Sequence, residues 1–322
     1  MVTLKKRRHN AVQESRRGED GIMIPSRPGK TGFAVARLMS RPIEKELKTN
    51  HWMTGCARVV PEQSVTVWDL ETVPDLSAAA RMLDLGDAPA AEVREALGAG
   101  FPKYPLHKIA CIGALIASRQ PEGWRVDALG APHTGDRSEA QLINDFVEKI
   151  GQLRPQLITF NGHSFDLPVL RYRAMVDRIA AAGLQVRPYF YRYGEDALDL
   201  CDVLGSYVPG AKVKLDEVSK ILGLTGKPEG VDGGRVEEMV LAGQMEEVAR
   251  YCESDVLNTY RVWLVYELFR GSITAGEHDW SEAQIRDFVS SRKTANPHLS
   301  AAVGIVNHGN ETLDLGGRNA AE

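Results

Sequence analysis

Apolar residues follow two periods along this chain. Val65-Thr66-Val67-Trp68-Asp69-Leu70 is rich in β-formers and predicts a first strand beginning near Ser64. Lys108 to Ser118 is a buried strand by length and apolarity. Trp124 to Leu129 reads as its hairpin partner after the turn Pro121-Glu122-Gly123. Leu157 to Phe160 predicts a short fourth strand. Between them, apolar residues at 142, 143, 146, 147 and 150 predict an amphipathic helix over Ser138 to Ile150, capped by Asp136 or Ser138. Helical patterns also cover about 77–97, an Ala-rich insertion between strands, then Phe165 to Ala182, Ala197 to Leu204, Leu215 to Leu222 and Arg235 to Leu241. A long helix runs from about Gln244 to Phe269. The polar, Gly-rich tail after about Asn296 reads as disordered. Three strands, a helix, a fourth strand and then helices give an α/β layered domain.

Composition narrows the class. The 322 residues suffice for one large domain or two small ones, and 43% hydrophobic with 25% charged residues is ordinary for a globular protein. The longest apolar run, Ile109 to Ala117, falls far short of the ~20 residues that a membrane helix needs. No hydrophobic secretory segment stands at the N-terminus. Cys56, Cys111, Cys201 and Cys252 are widely spaced, which fits a reducing cytoplasm and argues against a zinc site or a disulfide framework.

Charge is uneven. Residues 1–50 hold 12 Lys/Arg against 5 Asp/Glu, while the remainder is net acidic. Residues 1–60 therefore read as a disordered basic arm. A solvated tail, or sequence upstream of a start at Met53, is preferred to a nucleic-acid tether or a transit peptide. The acidic remainder is not an obvious nucleic-acid binder by bulk charge, but divalent ions reverse the local field wherever carboxylates cluster.

Three short motifs carry the chemistry: Val67-Trp68-Asp69-Leu70-Glu71-Thr72, then Phe160-Asn161-Gly162-His163-Ser164-Phe165-Asp166-Leu167-Pro168, then Tyr251-Cys252-Glu253-Ser254-Asp255. Asp69 and Glu71 are two apart on a strand and share a face. They repel each other unless a cation lies between them, and the surrounding Val65, Val67, Leu70 and Val73 argue for a central strand where such a pair is costly. Asp166 follows a strand and a Gly-containing turn, at the strand end where α/β folds bind ligands. Taken singly, it could merely serve a helix dipole. Asn161 and Gly162 suit a turn, and Asn161 can also hydrogen-bond a substrate. His163 reads as a turn residue, and Pro168 suits a first helical turn. Tyr251 and Asp255 share a helix face, although a lone tyrosine there would read equally well as core; Glu253 faces solvent by the same geometry. Together, Asp69, Glu71, Asp166 and Asp255 can hold two hard cations, Mg²⁺ or Mn²⁺, ~3.5–4 Å apart, suited to in-line phosphodiester hydrolysis. Tyr251 and Glu71 would orient the attacking water.

The order D-x-E, N-x-x-x-F-D, Y-x-x-x-D resembles the DEDD exonuclease superfamily in its tyrosine branch. The finer text is similar to the predicted 3′–5′ exonucleases related to the proofreading domain of family-B DNA polymerases. The similarity runs through Leu157 to Leu170, Leu198 to Leu204, Lys214 to Glu217, Leu222 to Leu224, Gly226-Lys227-Pro228 and Tyr251 to Thr259. It places Asp69, Glu71, Asp166 and Asp255 at the metal-binding acids and Tyr251 at the branch tyrosine. It covers about residues 64–275 and implies a ribonuclease H-like fold, a mixed five-stranded sheet flanked by helices, with one strand more than the residue pattern gives. Ala197 stands where the family usually has His, and the basic arm has no counterpart.

The resulting expectation is a two-metal 3′–5′ exonuclease acting on single-stranded nucleic acid, DNA ahead of RNA. An exoribonuclease of the same fold and a catalytically silent nucleic-acid-binding module are the alternatives. Leu70 or Phe165 would wedge terminal bases, Asn161 and Lys227 would contact substrate, and Arg171, Tyr172 or Arg173 would track the backbone. Lys227 also reads as a solvated loop lysine. The expected domains are the arm, a nuclease domain over 64–275 and a C-terminal extension over 276–322. With no polymerase module and no membrane partner in view, the expectation is a cytoplasmic stand-alone nuclease, or one recruited to a DNA repair or replication assembly.

Overall fold

Alternation along β1 (Ser64–Pro74) sorts its side chains onto two faces of a sheet. Val65 and Val67 enter one hydrophobic core, and Trp68 and Leu70 enter the other. The computed structural model describes residues 63–303 apart from 99, 209, 226–232, 293–296 and the side chains of 301 and 302. The basic arm, Lys227 and the tail from 304 onward lie outside the described residues.

β1 is central because both of its edges are paired. It runs antiparallel to β2 (His107–Gln120), which forms a hairpin with β3 (Gly123–Gly130). On its other side it runs parallel to β4 (Gln156–Thr159), which pairs in parallel with β5 (Ala197–Asp199). The order β3-β2-β1-β4-β5 is the mixed five-stranded sheet implied by the resemblance. β5, read from the sequence as helix, is only three residues long, too short to display a period of two, and α5 (Leu200–Leu204) follows it directly.

Helices cover both faces. On one lie α3 (Glu139–Leu153) and α4 (Asp166–Val176), packed against Trp68, Leu70 and Leu157. Ser138 caps α3 in a reciprocal box with Gln141. On the other face lies α8 (Met245–Phe269), in which every residue from Tyr251 to Leu264 is buried. It rests on β1, β2 and β4. Four further helices pack around it: α6 (Leu215–Ile221), α7 (Val236–Leu241), α9 (Ala275–Ser291) and α10 (Pro297–Ala302). A Cβ on Gly113 of β2 would lie 2.6 Å from the Cys252 sulfur, so the glycine allows α8 to approach the sheet this closely.

The expected boundary near 275 does not close the folded body. Thr274 caps α9, which returns to β3: the Ser281 hydroxyl accepts from the Trp124 N–H at 2.8 Å, and Arg119 pairs with Glu277. The low amphipathic contrast of Ala275 to Ser291 hid this helix from periodicity. Glu253 is buried rather than solvent-facing, because α10 covers it and His298 Nε2 lies 2.7 Å from its carboxylate.

The insertion after β1 forms α1 (Leu76–Met82) and α2 (Ala90–Leu97) in place of one helix, with left-handed Asp84 and Gly86 between them. Asp75 caps α1 and, with Glu139 at the start of α3, encloses Arg173 of α4 at 2.6–2.7 Å. Arg173 is therefore not available to a substrate backbone. The insertion, α3 and α4 meet at one buried cation. Replacing Arg173 with Ala leaves two buried carboxylates without it and is expected to cost about 3–5 kcal/mol in urea-unfolding experiments.

Candidate active site

Parallel pairing of β1 with β4 ends at Val67↔Ile158. Beyond it, the two strands diverge into the crevice at their carboxyl ends. There the Leu70 N–H donates to Asp166 Oδ1 at 3.1 Å, so a side chain from the start of α4 takes over from the sheet ladder. Asp69 and Glu71, on either side of Leu70, point to the α8 face. Each presents a carboxylate oxygen within 4.8 Å of the other's and of the Cys252 sulfur. A bulge between Glu71 and Thr72 shifts the β1–β2 register just past the pair. From α8, Tyr251 hydrogen-bonds Asp255, one turn on.

Electrostatics report how close these groups are. Burial raises the Asp166 carboxyl well above its ordinary 3.8, and the Asp69 charge raises it further against the opposing Leu70 N–H. Tyr251 is pushed far up, first by burial and then by Asp255, Glu71 and Asp69. The charges acting on these two groups are negative, a field that a divalent cation would relieve. The oxygen-rich donor set fits a hard cation. Cys252 adds a sulfur that sequence reasoning did not place at the site. Its thiol donates to the Asp69 carbonyl at 3.8 Å, and the neighbouring Cys111 together with burial pushes it well above the usual thiol range.

The turn before α4 is built to present Asp166. Asn161 has φ of 76°, and a Cβ on Gly162 would lie 2.4 Å from the Thr159 hydroxyl, so only glycine fits there. Asp199, at the end of β5, clamps this turn: its Oδ1 accepts from the Asn161 N–H at 2.7 Å and its Oδ2 from the His163 N–H at 3.0 Å. Oδ1 also caps α5 through the N–H groups of Cys201 and Asp202. His163 acts as a turn residue, with Nε2 2.9 Å from the Ala197 carbonyl. No role was read for Asp199 from the sequence. An acid closing a short apolar strand and opening a helix was the available signal.

A cavity of about 790 Å³ opens beside the acids and gathers Glu71, Leu70, Asn161 and Phe165. Leu70 is buried and borders it, as floor rather than as an inserting wedge. The opposite wall comes from the insertion. Phe101, 76% exposed, stands 5.6 Å from the Phe165 ring, His107 stacks edge-on to Phe165, and the Tyr104 hydroxyl donates to the Ser164 carbonyl. These wall residues lie in a segment that carries no motif, which is why sequence reasoning missed them. Arg171 lies over the Phe190 ring at 3.9 Å and Tyr172 is exposed; neither lines this cavity.

A raised carboxyl means that the native state keeps a proton the unfolded chain has already lost. Stability therefore declines as pH rises from about 4 through the elevated Asp166 value. In EDTA, the urea midpoint of the native protein is expected to fall over that window, and in Asp166→Asn the fall is expected to be smaller.

Among the described residues no helix is long and apolar enough to cross a membrane. No curated protein matches the chain. A family described as predicted 3′–5′ exonuclease related to the exonuclease domain of PolB matches residues 99–303. That span contains Asp166, Tyr251 and Asp255, and begins after β1, so it is the fold that sets Asp69 and Glu71 beside them. With well over half its length matched and a mixed five-stranded, ribonuclease H-like sheet at its centre, the chain belongs to this family of predicted 3′–5′ exonucleases.

Proposed function

We propose that this protein is a metal-dependent 3′–5′ exonuclease that removes nucleotides from single-stranded nucleic acid, with DNA the preferred substrate. The observation that carries the reading is the convergence of acids from β1, α4 and α8 beside a tyrosine, at the mouth of a cavity large enough for a nucleotide. Asp69, Glu71, Asp166 and Asp255 would hold two Mg²⁺ or Mn²⁺ ions. Such ions supply Lewis acidity toward water and the leaving 3′ oxygen.

The remaining work falls to the chain itself. Burial and then the Asp255, Glu71 and Asp69 charges favour the protonated form of the Tyr251 hydroxyl, which would hydrogen-bond an attacking water. Of the four acids, Glu71 is the one that lines the cavity, and it would orient that water. Phe165 and Phe101 offer faces to the terminal base, with Leu70 beneath. Asn161 stands at the rim within reach of the sugar-phosphate. The same activity would suit a nuclease recruited to a DNA repair or replication assembly.

The test is digestion of a 5′-labelled single-stranded DNA oligonucleotide with Mg²⁺ or Mn²⁺, beside a matched RNA. A ladder shortening from the 3′ end is expected. Asp69→Ala is expected to lower the rate by more than about a hundredfold and Tyr251→Phe by about a hundredfold. Preferential digestion of the RNA would reassign the substrate; no cleavage of either strand with either metal would sink the enzymatic reading.

A further inference from the structure

An exonuclease must hold the strand behind the nucleotide it removes, and beyond the cavity rim the surface changes character. In the segment Pro188 to Gly194, two aromatic residues turn inward. Tyr189 is fully buried and donates to the Pro155 carbonyl at 2.7 Å, and Phe190 packs against the core beneath Arg171. With those anchored, Tyr191 and Tyr193 are turned out, 59% and 66% exposed. Gly194 closes the turn onto the Tyr191 carbonyl at 3.0 Å.

A third ring comes from the loop after α5. Tyr207 lies 5.0 Å from Tyr193 between centroids, and Tyr193 lies 6.2 Å from Tyr191. Ser206 and Tyr207 hold φ of 51° and 58°, a left-handed conformation costly for an aromatic residue. The backbone thus accepts strain to keep a third ring beside two that are already exposed.

Two cations join this surface to the cavity. Arg192 and Lys212 share Oδ1 of Asp202, at 2.7 and 3.2 Å. The Asp202 side chain is fully buried while both cations are partly exposed, so the charge that faces outward is positive. Lys212 Nζ also donates to Asn161 Oδ1 at 2.6 Å and to the Ser164 hydroxyl at 2.8 Å. Asn161 and Ser164 both border the cavity.

We propose that Tyr191, Tyr193 and Tyr207, with Arg192 and Lys212, form a track for single-stranded nucleic acid on the 5′ side of the terminal nucleotide. Bases stack on the tyrosine faces and phosphates cross the two cations, an arrangement that holds any sequence because every base has a π-face. The direction of the strand rests on the exonuclease reading above; the stacking surface does not.

Fluorescence anisotropy of a labelled single-stranded DNA oligonucleotide of about 15 nucleotides, in EDTA, reads the track apart from cleavage. Tyr193→Ala and Tyr207→Ala are each expected to raise Kd about tenfold, and Tyr193→Phe to keep the wild-type value. Lys212→Ala is expected to reduce the slope of log Kd against log salt by about one. Unchanged affinity in both alanine variants overturns the proposal. So does an equal loss in Tyr193→Phe, tighter binding of a matched duplex, or no binding by the native protein. Cleavage by a protein whose affinity ignores Tyr193→Ala sinks the track alone. A tyrosine-dependent affinity without cleavage in either metal sinks the exonuclease reading and leaves the track standing.

Discussion

Like charges held close together in a poorly solvated place repel, and the rest of this structure is arranged so that they cannot separate. Asp69 and Glu71 are fixed by the central strand of the sheet, which is paired along both edges. Asp166 is fixed by the Leu70 N–H, and its carboxyl is raised first by burial and then by the nearby Asp69 charge. Asp255 comes in on a helix pressed against β2 at Gly113, where a side chain would collide with Cys252 and Val256. Three separate anchors hold the four carboxylates: β1 carries two of them, and α4 and α8 carry one each. A loop-borne cluster of acids would relax by moving apart. This one has no such freedom.

The supports of that cluster are themselves polar and buried. Asp199 holds the turn that leads into α4, and Arg173 ties α4 to α3 and to the insertion. The wall of the cavity is thereby connected to the element that presents Asp166. The insertion is part of the site's frame, although it bears none of the acids.

Legibility from sequence followed local pattern. β1 to β4, α3 and α8 were evident from their residue patterns, and periodicity put Asp69 with Glu71 and Tyr251 with Asp255 on shared faces, whereas Asp166 joined them only through the order of the motifs and the family resemblance. What was missed depended on tertiary contacts. β5 is three residues long, α9 has no clean stripe, and Glu253 was read outward because nothing in its own helix announces that α10 covers it. Arg173 looked like a surface cation, since the partners that bury it lie 98 and 34 positions away. The cavity wall and the clamp by Asp199 are long-range in the same sense: ordinary residues given a role by the topology around them.

The burial of α8 also limits its motion. Helices exchange their amide protons by fraying and local opening, and segments covered on all sides open only when the whole molecule does. From Tyr251 to Leu264 this helix has no exposed face, so its amides belong with the slowest-exchanging set of the protein. Tyr251 and Asp255 thus sit on its most rigid piece, and any tuning of their geometry by breathing motions is closed off. Adaptability has to reside at the rim, among Phe101, Tyr191 and Tyr193, where rings stand in solvent and can turn in nanoseconds while the acids behind them hold still.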